Sequence, residues 1–121
     1  MPKTILTVDD SRTMREMLCQ ALTAAGHTVL QAEDGLAGVA MLDAAHLDVI
    51  ITDINMPRMD GYAFIARVRE DLRHASAPIL VLTTESAPGH KARAREAGAT
   101  GWIVKPFRPE GLLAAIAKVS P

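Results

Sequence analysis

The fold is decided by the stretch Val49-Ile-Ile-Thr-Asp53-Ile-Asn-Met-Pro57-Arg-Met-Asp-Gly61. Its first four residues form a largely β-branched run without polar alternation, which is typical of a strand buried on both faces of a parallel sheet. Asp53 follows directly, and Pro57 and Gly61 then indicate a loop. Because the carboxyl ends of strands in an open α/β sheet border a crevice, the sequence places Asp53 where such sheets bind ligands.

Short apolar runs alternate with segments of helical periodicity along the whole chain. Strands are predicted at Thr4–Val8, Thr28–Ala32, Leu47–Thr52, Ile79–Leu82 and Gly101–Lys105. Helices are predicted between Asp10 and Gly26, over Gly35–Ala45 and Tyr62–Leu72, over Pro88–Ala97, and from Pro109 onward. Five strands alternating with five helices predict an α/β fold with a parallel sheet covered by helices on both faces.

Length and composition narrow the class of protein. A chain of 121 residues, 49% hydrophobic and 22% charged, predicts one folded domain over residues 1–121 with no appended output domain. Its apolar runs are shorter than the roughly 20 residues of a membrane helix, and Met1-Pro2-Lys3 does not begin a signal peptide, so a cytoplasmic location without membrane contact is expected. The net charge of −1 argues against a nucleic-acid partner.

Polar side chains follow the first, third, fourth and fifth predicted strands, and these residues are Asp9, Asp10, Asp53, Thr83 and Lys105. Because the carboxyl ends of parallel strands meet at one edge, we expect all five side chains to converge. Three adjacent carboxylates repel one another unless they keep protons or a cation lies between them. Mg²⁺ suits such a set, and the backbone carbonyl of Asn55 is placed to complete its coordination.

A carboxylate beside Mg²⁺ can attack phosphorus and form an aspartyl phosphate. Asp53 is the expected nucleophile, because it follows the central strand and the loop after it leaves room for a phosphoryl donor. Lys105 would neutralise one phosphoryl oxygen, and the Thr83 hydroxyl would donate a hydrogen bond to another.

Each position also has an ordinary structural explanation. Asp9 and Asp10 suit the positive end of the following helix, Thr83 can cap a loop, and Lys105 can extend into solvent. A single shared site explains all of these positions at once. A basic run in the fourth predicted helix is interpreted as a solvated face; its members are His90, Lys91, Arg93 and Arg95.

Four motifs, taken with their order and spacing, resemble the receiver domains of two-component response regulators, and most closely the single-domain chemotaxis members. They are Val8-Asp9-Asp10-Ser11, the segment from Asp53 to Gly61, Leu82-Thr83-Thr84, and Gly101-Trp-Ile-Val-Lys105-Pro-Phe107. The resemblance covers essentially the whole chain. It implies a doubly wound sheet with strand order 2-1-3-4-5.

The resemblance also implies the roles of individual residues. Asp53 would accept a phosphoryl group from the phosphohistidine of a sensor histidine kinase. Magnesium would be bound by Asp10, Asp53 and the carbonyl of Asn55, with support from Asp9. Lys105-Pro106 resembles the family's cis peptide bond.

The resemblance further implies a conformational switch. Thr83 would move toward the phosphoryl group and Trp102 would turn inward, changing the partner preference of the surface made by the fourth helix, fifth strand and fifth helix. Trp102 departs from the tyrosine or phenylalanine more usual there, and a packing role is the alternative. Asn55 and Glu85 occupy positions that influence the lifetime of the phosphoryl group in chemotaxis members.

The expected function is a monomeric, phosphorylation-activated chemotaxis switch that binds a chemotaxis-type histidine kinase and then a flagellar-motor switch protein. It would be no enzyme beyond catalysing its own phosphorylation and dephosphorylation. One alternative is a stand-alone phosphorelay intermediate. Another is a magnesium-dependent phosphatase acting through an aspartyl phosphate, which is disfavoured by the absence of an Asp-x-Asp pair after the first strand and by a chain too short for a cap. Flavin binding is disfavoured because no phosphate-binding loop follows that strand.

Overall fold

The computed structural model describes residues 2–121, which form five parallel strands and five helices. The strands are β1 (Thr4–Val8), β2 (Thr28–Ala32), β3 (Val49–Thr52), β4 (Ile79–Thr83) and β5 (Gly101–Val104). The helices are α1 (Arg12–Ala24), α2 (Gly35–Met41), α3 (Gly61–Glu70), α4 (Pro88–Ala97) and α5 (Pro109–Val119). No helix within residues 2–121 has the length and apolar character needed to cross a membrane.

The strand order is β2-β1-β3-β4-β5, which confirms the predicted α/β fold and its doubly wound topology. The register aligns the carboxyl ends of the central strands: Val8 pairs with Thr52, and Thr83 pairs with Val104. Residues that directly follow these strands therefore lie at one edge of the sheet. The order reverses between β1 and β3, where a crevice is expected.

Strand β3 is buried on both faces, as its uninterrupted apolar sequence predicts. Ile50 belongs to the apolar cluster on one face of the sheet, together with Phe64 of α3. Ile51 belongs to the cluster on the other face, with Leu18 of α1 and Leu112 of α5. Full burial of each such side chain contributes about 1.5–3 kcal/mol. The two clusters thus fix the position of the strand that carries Asp53.

Three helices that begin at the carboxyl edge of the sheet are capped by polar side chains. Ser11 Oγ accepts a hydrogen bond from the backbone of α1 at 3.2 Å, Asp34 Oδ1 caps α2 at 2.8 Å, and Asp60 Oδ1 caps α3 at 2.9 Å. These bonds satisfy N–H groups that the first helical turn leaves free. Proline opens both α4 and α5, as predicted for α5.

The prediction for α3 was wrong at its end. The helix stops at Glu70 instead of Leu72, and Leu72, expected to face inward, is 93% exposed. Asp71 explains the difference, because its Oδ1 accepts the backbone N–H of Arg73 at 2.9 Å and binds the Arg73 guanidinium. This local turn competes with the helix, as aspartate side chains commonly do.

Other predicted boundaries also differ from the structure. Helix α2 ends at Met41 instead of Ala45, because the chain continues in tight i→i+3 turns and the Leu42 carbonyl accepts a bond from the His74 ring at 2.9 Å. Strand β3 begins at Val49 instead of Leu47, and β5 ends one residue before Lys105. In α1, Met17 is 45% exposed although its spacing predicted an inward position.

Candidate functional site

Three carboxylates meet at the carboxyl edge of the sheet. Asp9 and Asp10 follow β1, Asp53 follows the neighbouring strand β3, and one oxygen of each lies within 4.8 Å of the others. Asp9 and Asp53 are buried, whereas Asp10 is exposed. The convergence that the strand ends predicted is present.

Lys105 reaches this cluster from just beyond β5. Its Nζ donates hydrogen bonds to Asp9 Oδ2 and Asp53 Oδ2, both at 2.9 Å. Burial lowers the pKa of Lys105, but the hydrogen bonds to Asp53 and Asp9 outweigh burial and hold the pKa above its usual value. The ammonium therefore stays charged, and one ammonium beside three carboxylates leaves two negative charges uncompensated.

For the carboxyl group of Asp9, the effect of burial on the pKa is larger than the effect of the hydrogen bonds. Burial raises its pKa, and the hydrogen bonds from Lys105 and the backbone of Ser11 only partly counter that effect. The Ser11 N–H donates to Asp9 Oδ1 at 2.9 Å. A positive charge added beside this buried group would stabilise its ionised, carboxylate form.

The carboxylate of Asp53 is held in one orientation. Its Oδ1 accepts the backbone N–H of Ile54 at 2.6 Å, so Oδ2 is the oxygen that faces Lys105. The chain then returns to Ile54 through the Gly61 N–H, which donates to the Ile54 carbonyl at 2.8 Å. A Cβ on Gly61 would collide with the backbone carbonyl oxygen of Asp53, so only glycine permits this close approach.

Glu85 is hydrogen-bonded to the predicted switch residues and to the other predicted lifetime residue. Its backbone N–H donates to Thr83 Oγ1 at 3.4 Å, and its carbonyl accepts a bond from Trp102 Nε1 at 3.2 Å. Its carboxylate Oε1 accepts a bond from Asn55 Nδ2 at 3.0 Å. The predicted switch residues and the predicted lifetime residues thus belong to one hydrogen-bonded network, which links the β3–α3 loop, the end of β4, the β4–α4 loop and strand β5.

Sequence reasoning missed several contacts of this site. Arg15 donates to the backbone carbonyl of Asp9 at 2.7 Å, and an arginine one turn into the first helix was the available signal. The basic run in α4 was interpreted as a solvated face, and Lys91, Arg93 and Arg95 are exposed, but two members of the run also make specific contacts that the sequence did not show. His90 Nε2 lies 3.4 Å from Glu85 Oε2, and the Arg93 guanidinium lies 4.0 Å from the centre of the Tyr62 ring.

The peptide bond between Lys105 and Pro106 is cis, as the family resemblance implied.

Comparisons with known proteins agree with this geometry. Residues 5–117 match the sequence profile of the response regulator receiver domain. The chemotaxis protein CheY1 of Helicobacter pylori is 43% identical over 110 residues, which is 89% of each chain. The crystal structure of the Vibrio cholerae chemotaxis protein CheY4 superimposes with a TM-score of 0.94 at 44% identity, covering 98% of this chain and 99% of that one. The sensor histidine kinase CheAY of Helicobacter pylori is 35% identical over 114 residues, or 93% of this chain and 14% of that protein.

Proposed function

Because the chain belongs to the response regulator receiver domain family, we propose that it is a two-component phosphoacceptor switch of the chemotaxis type, with Asp53 as the phosphoacceptor. One observation carries the assignment of the acceptor. Asp9 and Asp53 both present Oδ2 to the Lys105 ammonium at 2.9 Å while a backbone N–H holds Oδ1. The Asp53 side chain is the more accessible of the two, 9% exposed against 2% for Asp9, and is therefore the one that a phosphoryl donor reaches more easily. A phosphoryl group on this residue would be formed beside a fixed positive charge.

In the proposed reaction a carboxylate oxygen of Asp53 attacks the phosphorus of a kinase phosphohistidine. The new bond joins that oxygen to phosphorus, and the bond between phosphorus and the histidine nitrogen breaks, with the electron pair leaving on nitrogen. The Lys105 ammonium then donates its hydrogen bond to a phosphoryl oxygen instead of to the Asp53 carboxylate, and the buried Thr83 hydroxyl donates to another phosphoryl oxygen. Asp9 keeps the Lys105 ammonium in place throughout, through its bond at 2.9 Å.

The carboxylate cluster fits a hard divalent cation. Asp9, Asp10 and Asp53 provide oxygen ligands only, and the two uncompensated negative charges match the charge of Mg²⁺. We assign direct binding to Asp10, Asp53 and the carbonyl of Asn55, with Asp9 in support. When bound, Mg²⁺ supplies neutralisation of the charge that carboxylate and phosphoryl oxygens share.

The switch is proposed to run through Glu85. Once Thr83 donates to a phosphoryl oxygen it moves relative to the Glu85 N–H, and the Glu85 carbonyl is bonded to the Trp102 indole. Movement at Asp53 is thereby transmitted to β5 and to the surface formed by α4, β5 and α5. A phenylalanine at position 102 could not make this bond.

The proposed partners follow from the family and from the names of the relatives. A chemotaxis-type histidine kinase in the cytoplasm would donate the phosphoryl group, and a flagellar-motor switch protein would bind the α4, β5 and α5 surface of the monomeric chain. Catalysis by the chain is limited in this proposal to its own phosphorylation and dephosphorylation. Residues 1–121 are proposed to act as one receiver domain.

Intact-mass measurement after incubation with acetyl phosphate tests the proposal. The expected result is a gain of one phosphoryl group in the presence of Mg²⁺ and no gain after chelation with EDTA. An unchanged mass at saturating donor and Mg²⁺ would contradict the proposed function, and repeated turnover of the donor without a covalent adduct would favour a phosphatase.

Magnesium should also stabilise the fold, because it binds carboxylates that only the folded chain brings together. At a free concentration about a hundred times its dissociation constant, the expected gain is about 2.7 kcal/mol, seen as a higher melting temperature. Asp10→Asn should lose most of this gain, and Asp43→Asn, which changes an exposed carboxylate far from the cluster, should keep it. An equal gain in both variants would remove Asp10 from the metal site.

Phosphorylation should change the fluorescence of Trp102, the single tryptophan in the chain. The expected signal is a shift in intensity or emission maximum as the bond to the Glu85 carbonyl rearranges. The measurement is an emission spectrum before and after acetyl phosphate with Mg²⁺, with Asp53→Asn as the control that should not respond. An unchanged spectrum in a fully phosphorylated sample would make Trp102 a packing residue.

A further inference from the structure

His90 of α4 contacts the Glu85 carboxylate on the side opposite Asn55. Its Nε2 lies 3.4 Å from Glu85 Oε2, and its Nδ1 lies 2.9 Å from the Tyr62 hydroxyl. Glu85 Oε1 at the same time accepts the bond from Asn55 Nδ2 at 3.0 Å. A continuous chain of polar contacts thus runs from Tyr62 of α3, through His90 and Glu85, to the residue two positions after Asp53.

The chemistry of these partners indicates the roles of the two ring nitrogens. A carboxylate can only accept, so an N–H on Nε2 of His90 suits the Glu85 carboxylate 3.4 Å away. Nδ1 then accepts a hydrogen bond from the Tyr62 hydroxyl at 2.9 Å. Burial raises the pKa of Tyr62, which keeps the hydroxyl protonated as a donor. The His90 ring therefore contacts both neighbours at once.

Tyr62 gives His90 a rigid point of attachment. It is buried and directly follows Gly61, whose backbone packs against the carbonyl of Asp53. Arg93 stacks on the open face of the Tyr62 ring at 4.0 Å. Helix α4 buries only Ala94 among its ten residues, and the bond from His90 to Tyr62 ties this weakly buried helix to α3.

The pair of Asn55 and Glu85 bridges the two loops that leave β3 and β4 on either side of the phosphorylation site. A closed bridge would restrict the approach of water to a phosphoryl group on Asp53, because Asn55 lies only two positions after that residue. Hydrolysis needs that approach: a water oxygen bonds to phosphorus, the bond from phosphorus to the Asp53 oxygen breaks, and the carboxylate leaves with the electron pair. One water proton stays on the inorganic phosphate and the other goes to solvent.

We propose that His90 is a positioning residue that holds Glu85 against Asn55 and thereby slows hydrolysis of the aspartyl phosphate. The proposal rests on the function proposed above. It adds that a residue of α4 controls the lifetime of the phosphoryl group on Asp53. His90 touches neither the phosphoryl group nor the metal ligands; it acts through Glu85, and Tyr62 fixes its ring.

Decay of the phosphorylated chain tests this proposal. Each variant is phosphorylated with acetyl phosphate and Mg²⁺, the donor is removed by rapid desalting, and the phosphorylated fraction is followed by intact mass. His90→Ala should decay about three- to tenfold faster than the wild type, as loss of one polar contact of ordinary strength would give. His90→Gln keeps an N–H donor for Glu85 and should stay within about twofold of the wild type.

The remaining variants separate positioning from simple stability. His90→Gln and His90→Ala both lose the Tyr62 bond, so their melting temperatures should fall by similar amounts, whereas the alanine variant should decay clearly faster than the glutamine variant. Tyr62→Phe keeps the ring beneath Arg93 and should accelerate decay to a smaller extent. Lys91→Ala, an exposed change on the same helix, should leave decay unchanged.

Two outcomes would overturn the inference, and they are distinguishable. A wild-type chain that gains no phosphoryl group overturns the proposed function and this inference with it. If the wild type is phosphorylated, two results would overturn the positioning role alone. One is a His90→Ala decay rate equal to that of the wild type, and the other is equal acceleration of decay in His90→Ala and His90→Gln. If His90→Ala does not fold, the Tyr62→Phe rate decides: decay at the wild-type rate contradicts the proposal.

Discussion

Asp53→Asn is expected to abolish phosphorylation by acetyl phosphate, with a loss on the order of a thousandfold or more in the rate of phosphoryl gain. The amide has no negative oxygen with which to attack phosphorus. The change also removes one of the two carboxylates that hold Lys105, whose Nζ donates to Asp53 and Asp9 at 2.9 Å. The measurement is the time course of intact mass under saturating donor and Mg²⁺.

Asp43→Asn is the matched control for that experiment. Asp43 is an exposed carboxylate paired with Arg73, and it lies outside the cluster of Asp9, Asp10 and Asp53. The control variant should be phosphorylated at the wild-type rate. A phosphoryl gain in Asp53→Asn close to that of the wild type would show that another residue is the acceptor.

Phe64→Ala is expected to lower the free energy of unfolding by about 3–5 kcal/mol. Phe64 is 0% exposed and lies in the apolar cluster under α3, the helix that begins beside Asp53. The cavity left by the missing Phe64 ring cannot be filled easily by its neighbour Gly38 of α2, which has no side chain. Gly38 packs closely on the ring, since a Cβ there would lie 2.7 Å from a ring carbon. Urea denaturation followed by circular dichroism measures the change.

Arg67→Ala serves as the control on the same helix. Arg67 is exposed, and its pairing with Glu70 at 4.0 Å is a surface contact, so the expected change is within about 0.5 kcal/mol. A loss below about 1 kcal/mol for Phe64→Ala would mean that the cluster repacks around the missing ring.

Much of the fold could be predicted because its signals are local. The run from Val49 to Thr52 has the composition of a doubly buried strand, and it is one. Helix ends were less predictable, since they depend on single competing bonds. Leu72 has helical spacing with Val68, but the turn that Asp71 makes with Arg73 ends the helix first.

The strand order followed from the family resemblance, because alternation of strands and helices does not by itself say which strands are neighbours. The order determines the site: it places β1 beside β3, and thus Asp9 beside Asp53. Once parallel strands were assumed, the ends of β1, β3, β4 and β5 were sufficient to predict the cluster with Lys105.

The contacts of α4 could not be predicted in this way. His90 and Tyr62 lie 28 positions apart, and the polar faces of their two helices carry no periodic apolar signal that would show they meet. A basic residue on a polar helix is usually solvated, and only the packing of α4 against α3 reveals that His90 and Arg93 also contact Tyr62. The strand edge was therefore predictable, whereas the side-chain network that surrounds it was not.

The most direct test of the central claim identifies the phosphorylated residue itself. The chain is phosphorylated with acetyl phosphate and Mg²⁺ and treated with borohydride, which reduces an aspartyl phosphate to homoserine and leaves free carboxylates unchanged. Peptide mapping should then find homoserine at position 53 and nowhere else. Homoserine at Asp9 or Asp10, or phosphate that survives on a serine or threonine, would contradict the assignment of Asp53 as the phosphoacceptor.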